Sequence, residues 1–231
     1  MVQDRFYEIK ENLHRVEING VVREILLPSR FATIEPQQLH ILDQILSAFD
    51  DGVRLVMLQA PCGVGKTLVA EIVRQCLGEK MLYLPPHLEL QDQFVREFTY
   101  ANLLKGRSNF AHGGATGRKD FPRVTCADCM ENSLCGGDKK VQCDYSRAKD
   151  EFLSSEVGVA NLSYFLAAAN GINMFVPLAQ MGDGGGDKKN YWGKWIGDGG
   201  KWITVIDEAH VLEDTVKSFL AGFWGVKPCR N

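Results

Sequence analysis

The stretch Ala60-Pro61-Cys62-Gly63-Val64-Gly65-Lys66-Thr67 decides the fold of this 231-residue chain. The apolar run Leu55-Val56-Met57-Leu58 before it reads as a buried strand over 54–60, and a helix-like run from Leu68 to Leu77 follows. Strand, glycine-bearing turn, Gly-Lys-Thr and helix are the parts of a phosphate cradle. The turn exposes consecutive backbone N–H groups, and the helix N-terminus adds its partial positive charge. Gly63 and Gly65 let the backbone approach a phosphate with no Cβ in the way. The loop and first turn, Gly63, Val64, Gly65, Lys66, Thr67 and Leu68, are therefore the predicted nucleotide-binding surface. Lys66 is expected to reach the β- and γ-phosphates of ATP, and the Thr67 hydroxyl to hold Mg²⁺.

A second pattern complements the first. Trp202-Ile203-Thr204-Val205-Ile206 reads as another buried strand and runs into Asp207-Glu208-Ala209-His210. A carboxylate at the end of a neighbouring parallel strand completes a Mg²⁺ site opposite the Thr hydroxyl, and Asp207 is expected to fill that place. Glu208 is placed to orient or deprotonate an attacking water, which needs a carboxylate within hydrogen-bond reach. Lys66 and Glu208 are the predicted catalytic pair, and His210 is expected to couple the nucleotide to a nucleic-acid side.

Composition narrows the class. No run of about eighteen apolar residues exists, so no transmembrane helix is expected. Met1-Val2-Gln3-Asp4-Arg5-Phe6 lacks the apolar core of a signal peptide. A cytoplasmic protein follows, with cysteines free, metal-bound or catalytic rather than disulfide-linked. The net charge of −3 gives no global pull toward nucleic acid, so any such binding must use a local patch.

Along the chain, His14–Ile18 and Val21–Leu27 flank Asn19-Gly20, the strongest short hairpin signal, and Pro28 ends the second strand. Leu39, Leu42, Ile45, Leu46 and Phe49 carry a helical spacing over Gln37 to Phe49. A strand is predicted through Met81-Leu82-Tyr83-Leu84 and a helix from Leu88 to Leu104. Later come a helix from Tyr145 to Leu153, a strand Val157–Ala160, a helix Leu162–Ala169, the strand 202–206 and a helix starting near Ala209. Alternating strands and helices predict an α/β fold with a parallel sheet and crossover helices. Residues 182–200, with eight glycines and Trp192 and Trp195, read as a flexible loop. The predicted units are a hairpin extension over 1–28, a nucleotide-binding part over 29–105, an insertion over 106–150 and a second part of the same domain over 151–231.

The insertion is rich in Gly, Asn, Lys and Cys and shows no sustained apolar period, so it is expected to lack a hydrophobic core. Cys126, Cys129, Cys135 and Cys143 fall in an eighteen-residue window spaced Cys-x2-Cys-x5-Cys-x7-Cys. Four cytosolic thiols without a packable core imply a metal that supplies folding free energy. Zinc would take four thiolates tetrahedrally, and an iron–sulfur cluster would also take four. Cys62 sits in the phosphate loop as a candidate reactive thiol, and Cys76 reads as a buried helix residue. Between Arg96 and Lys149 ten Lys/Arg stand against six Asp/Glu, a local balance of +4. Phe110, Phe121 and Tyr145 interleave with these charges, as stacking on bases along a basic track requires.

The loop spelled Ala-x-x-Gly-x-Gly-Lys-Thr, the cysteine-rich insertion before Asp-Glu-Ala-His, and Lys105-Gly106-Arg107-Ser108-Asn109-Phe110 leading into it resemble the DinG/XPD-like DNA helicases of superfamily two. Leu84-Pro85-Pro86-His87-Leu88-Glu89-Leu90-Gln91-Asp92-Gln93-Phe94 looks like that family's motif Ia, which touches the single-strand backbone; His87 stands where Thr is usual. Cys143–Lys149 is similar to the segment with the last cluster cysteine, and Val159–Leu166 to the re-entry into the motor domain. Glu35-Pro36-Gln37-Gln38 resembles the adenine-reading segment, with Gln38 as the contact. The resemblance covers roughly residues 30–215 and implies a RecA-like sheet with helices on both faces. It implies a 4Fe–4S cluster in preference to Zn²⁺. In the family the first ligand usually lies nearer the Gly-Arg-Ser-Asn run, where this chain has Ala111 and His112. Either Cys126 serves as first ligand or His112 competes for the site. The implied partners are single-stranded or forked DNA and a second RecA-like domain, from a missing C-terminal part or another chain. Twenty-one residues follow His210, so the chain alone is expected to bind ATP, hydrolyse it feebly and unwind nothing. The alternative expectation is a zinc-stapled nucleic-acid-binding module whose phosphate loop only senses nucleotide.

Overall fold

A computed structural model describes residues 11–61, 63–110, 125–126, 144–170 and 202–224. The hairpin forms as its turn demands. Strands β1 (Glu11–Ile18) and β2 (Val21–Pro28) pair antiparallel, with Ile18 opposite Val21. Asn19 and Gly20 both take positive φ, 51° and 70°, the twist that two-residue hairpins need. Asn19 N–H donates to Asp43 Oδ1 at 2.8 Å, tying the turn to helix α1 (Pro36–Asp50).

Helix α2 (Lys66–Leu77) follows the phosphate loop and leads into β3 (Lys80–Leu84). Then come α3 (Leu88–Glu97), β4 (Asn102–Leu104), α4 (Asp144–Ser154), β5 (Val157–Ala160), α5 (Leu162–Asn170), β6 (Trp202–Ile206) and α6 (Leu212–Trp224). The four strands form one sheet in the order β4-β5-β3-β6, with all three pairings parallel. Among the described residues no helix is long and apolar enough to cross a membrane.

Side chains alternate across this sheet, and each face receives its own helices. Met81, Tyr83, Val157 and Val159 pack with α1, α2, α3 and the hairpin residues Ile18, Ile25 and Leu27. Leu82, Leu84, Leu104 and Ala160 face the other way, onto Phe152 of α4, Leu162 of α5 and Leu212. Strands covered on both faces read as unbroken apolar runs, as Met81–Leu84 does. This is the RecA-like arrangement expected from the sequence.

The hairpin is locked to α2 by a side chain that imitates a strand. Gln75 Oε1 accepts from Leu26 N–H at 2.9 Å, and its Nε2 donates to Leu26 O at 2.8 Å. The same amide donates to Glu71 Oε1, and Glu71, wholly buried, is paired with Arg74 at 2.7 Å. Replacing Gln75 with Ala removes these bonds at a partly wet site. Urea unfolding should register a loss of about 1–2 kcal/mol; an unchanged midpoint would mean that water replaces the amide at no cost.

Three expectations are corrected. Residues 54–60 form no strand: they belong to no ladder, and Leu55 and Met57 are 79 % and 85 % exposed. An apolar run becomes a strand only where its backbone groups find a partner chain, and none pairs with it among the described residues. The helix begun at Leu88 ends at Glu97 rather than Leu104, because Asn102–Leu104 pairs in register with Gly158–Ala160. The insertion is not devoid of core: Cys126 and Tyr145 are buried, and Phe110 packs against their cluster. Cys126 N–H donates to Phe110 O at 3.0 Å, so Cys126 joins the start of the insertion on the sheet's second face. The predicted loop 182–200 lies outside the described residues.

Candidate nucleotide site

The phosphate loop reaches α2 through two glycines with positive φ, Gly63 at 87° and Gly65 at 84°. A Cβ on Gly63 would meet no atom within 4 Å, so the loop presents open space there. Gly65 is constrained from outside as well: a Cβ there would sit 2.5 Å from Gln38 Nε2. Only glycine satisfies both the backbone angle and that contact. The first-turn amides of α2, from Lys66 onward, point out of the helix with no i−4 acceptor of their own, which leaves them for an anion. Lys66 Nζ donates to Ala60 O at 3.1 Å, so the ammonium folds back over the loop it would leave for a phosphate.

Gln38 stands at the third position of α1, where its Oε1 accepts from Glu35 N–H at 2.9 Å. Its Nε2 donates to Val64 O at 2.7 Å, so the amide braces the phosphate loop against the N-terminus of α1. Cys62 lies outside the described residues, and Leu68 is buried in the core behind the loop.

Sheet register carries the second pattern to the same place. Leu84 pairs with Ile206, and Asp207 N–H extends that ladder by donating to Leu84 O at 3.3 Å. Asp207 therefore emerges at the C-terminal edge of the sheet. Its Oδ1 accepts from Glu208 N–H at 3.0 Å, and its Oδ2 accepts from the Tyr83 hydroxyl at 2.5 Å. The Thr67 hydroxyl draws the Tyr83 phenol in the opposite direction from Asp207. Burial first, and then the bond to Asp207, push the Tyr83 phenol far above the usual tyrosine range, so it stays a donor. Thr67, in the first turn of α2, and Asp207, at the sheet edge, thus both act on the Tyr83 phenol. A hydroxyl and a carboxylate are hard oxygen donors, the set that Mg²⁺ takes beside a phosphate. The residues present fit the ion.

Glu208 adopts a left-handed backbone, φ 51° and ψ 47°, which a residue with a Cβ rarely takes. That turn starts the short 3₁₀ segment Ala209–Val211. It also aims the Glu208 carboxylate along the sheet edge, where it meets His210 Nδ1 at 3.2 Å. Both line an open cleft of about 300 Å³ with His87, Glu89, Leu90 and Val211. The loop ahead of α3 is held from the opposite side: Asn161 Nδ2 donates to Pro86 O at 2.7 Å while its Oδ1 accepts from Ser163 N–H at 2.8 Å.

The sequence match is to the family described as Type III restriction enzyme, res subunit, over residues 32–220. The chain belongs to this family. No curated protein and no solved structure matches it. As a res-subunit family member the chain carries a superfamily-two helicase-type domain, a class of ATPase that uses ATP and Mg²⁺ and acts on nucleic acid.

The predicted metal and nucleic-acid residues fare differently. Cys129, Cys135, Cys143 and His112 lie outside the described residues; Cys126 is described and buried. Among the described residues no group of His, Cys, Asp and Glu gathers as a metal site. Tyr145 is not a stacking platform: it is 6 % exposed, its hydroxyl is 2.6 Å from that of Tyr164, and Phe110 meets its ring edge-on. An aromatic within a basic stretch reads the same whether it faces bases or a core, and here the second core claims it. Arg107 lies over the Tyr145 ring at 4.7 Å, Lys105 pairs with Asp92 at 2.8 Å and Arg147 with Asp144 at 2.8 Å. Phe121 and the basic residues 118, 119, 123, 139 and 140 lie outside the described residues. The sequence reading missed Tyr83 and Asn161. The signal for Tyr83 was present: a hydroxyl inside an apolar strand must find a partner.

Proposed function

We propose that this chain is the ATP-binding first motor domain of an ATP-dependent DNA helicase. The observation that carries the reading is a glycine-built loop and a lysine at the N-terminus of α2, with the Asp207 carboxylate at the C-terminal edge of the parallel sheet. In this reading the amides from Gly63 to Leu68 and the Lys66 ammonium hold the phosphates, and Gln38 secures the loop under the adenine. Thr67 and Asp207 would hold Mg²⁺, which supplies charge neutralisation between the phosphates. Glu208 takes the proton of the attacking water. His87 and the cleft beside it lie next to the track of a single DNA strand, so Glu208 and His210 link the strand to the phosphate site. The catalytic cycle also requires a second RecA-like domain, whose arginines stabilise charge on the transferring phosphoryl group.

The proposal extends to residues 106–150 as an insertion that binds a 4Fe–4S cluster through Cys126, Cys129, Cys135 and Cys143. Spacing and the sequence resemblance support it; the zinc-stapled binding module is the competing assignment. Anaerobic purification, a visible spectrum and metal analysis decide between them. A brown protein with about four irons per chain is expected. One zinc in a colourless protein would overturn the cluster. In the same preparation a labelled single-stranded oligonucleotide should bind with an affinity that changes when ATP is bound; binding indifferent to ATP would overturn the motor reading.

A further inference from the structure

Tyr83 is a core residue with one polar atom, and that atom stands at the nucleotide site. Its ring is 3 % exposed and packs on Phe94, with the centroids 4.2 Å apart. It sits on β3 opposite Val205, one position from the end of the ladder. A buried ring on a paired strand cannot swing, so the hydroxyl is a fixed point between α2 and β6. Asp207 Oδ2 lies 2.5 Å from it.

We infer that Tyr83 is a positioning residue for the divalent cation that accompanies the nucleotide, its hydroxyl holding the Asp207 carboxylate in one orientation. The inference rests on the reading that Thr67 and Asp207 hold that cation. The phenol has a single hydrogen of its own, and this goes to Asp207. Glu208 N–H takes the other carboxylate oxygen at 3.0 Å, so both oxygens are oriented by the protein. Each keeps a lone pair for the ion. The carboxylate is thus presented in one orientation before a nucleotide arrives. Without the Tyr83 hydroxyl the carboxylate is held by the Glu208 amide alone. Loss of an outer partner of this kind typically weakens metal affinity 10–100-fold.

The test is a Mg²⁺ titration of fluorescent ATP-analogue binding by the full chain, comparing Tyr83→Phe and Asp207→Asn with the unaltered protein. Phe keeps the ring on Phe94, and near-ultraviolet circular dichroism with an unfolding curve checks the packing. For Tyr83→Phe the Mg²⁺ concentration at half-effect should rise about tenfold or more, while affinity for the analogue in EDTA stays within about twofold of the unaltered protein. Asp207→Asn should lose the Mg²⁺ effect. If Tyr83→Phe titrates like the unaltered protein while Asp207→Asn does not, the positioning role is overturned and the metal reading stands. Equal weakening of Tyr83→Phe with and without Mg²⁺ would make the residue merely structural, which also overturns the inference. If Asp207→Asn responds to Mg²⁺ like the unaltered protein, the metal reading itself falls.

Discussion

Glu208→Gln should lower ATP hydrolysis by about 10²–10⁴-fold while leaving ATP affinity within a few-fold. The substitution keeps the size of the side chain and its hydrogen-bonding reach, but removes the group that accepts a proton. Its backbone is already held in the left-handed turn by the Glu208 N–H bond to Asp207 and by Val211 N–H on Glu208 O at 3.0 Å. The residue therefore changes chemistry without changing place. Single-turnover phosphate release, with protein in excess over nucleotide, measures slow rates and is the appropriate assay. A rate reduced less than about threefold would assign the water-activating role elsewhere.

Lys66→Ala should raise the dissociation constant for ATP about 10–100-fold and leave single-stranded DNA binding unchanged. A charge-assisted hydrogen bond to a phosphate contributes about 1.5–3 kcal/mol, and 1.4 kcal/mol is a tenfold change. The fold tolerates the change, because among the described residues the ammonium bonds only Ala60 O, in a partly exposed loop. Equilibrium titration with a fluorescent ATP analogue checks the first half, and anisotropy of a labelled oligonucleotide the second. ATP affinity that does not move would mean that the helix N-terminus alone holds the phosphates. Equal loss of both would mean that the substitution unfolds the chain.

Legibility in the sequence followed the range of the interaction. The hairpin was readable because Asn19-Gly20 fixes a turn with no help from elsewhere. The loop was readable because Gly63, Gly65, Lys66 and Thr67 are consecutive, and the chemistry lies in their spacing. Asp207 and Glu208 could be named from one strand end, yet only the β3–β6 register shows that Asp207 arrives beside the Tyr83 hydroxyl. Where a pairing partner decides the outcome, the reading failed. Leu55 to Leu58 are as apolar as a buried strand but join no ladder, while the three residues Asn102–Leu104 are too few to signal a strand and still make one. Tyr145 failed for a related reason, since composition cannot separate a base-stacking ring from one packed on Phe110. Tyr83 was counted as apolar filling, and only its hydroxyl gives it another part.

The Gln75 clasp on Leu26 sits near the far end of α2 from Lys66. A helix of twelve residues is a stiff rod of about 18 Å at 1.5 Å per residue. One end of the rod is fastened to the hairpin, and the other carries the phosphate-gripping lysine. Displacement of the hairpin is thus transmitted as axial push or pull on the phosphate loop, and a bound triphosphate resists it from the opposite end. A ligand that strains β1 and β2 and one that fills the loop work against each other on the same lever.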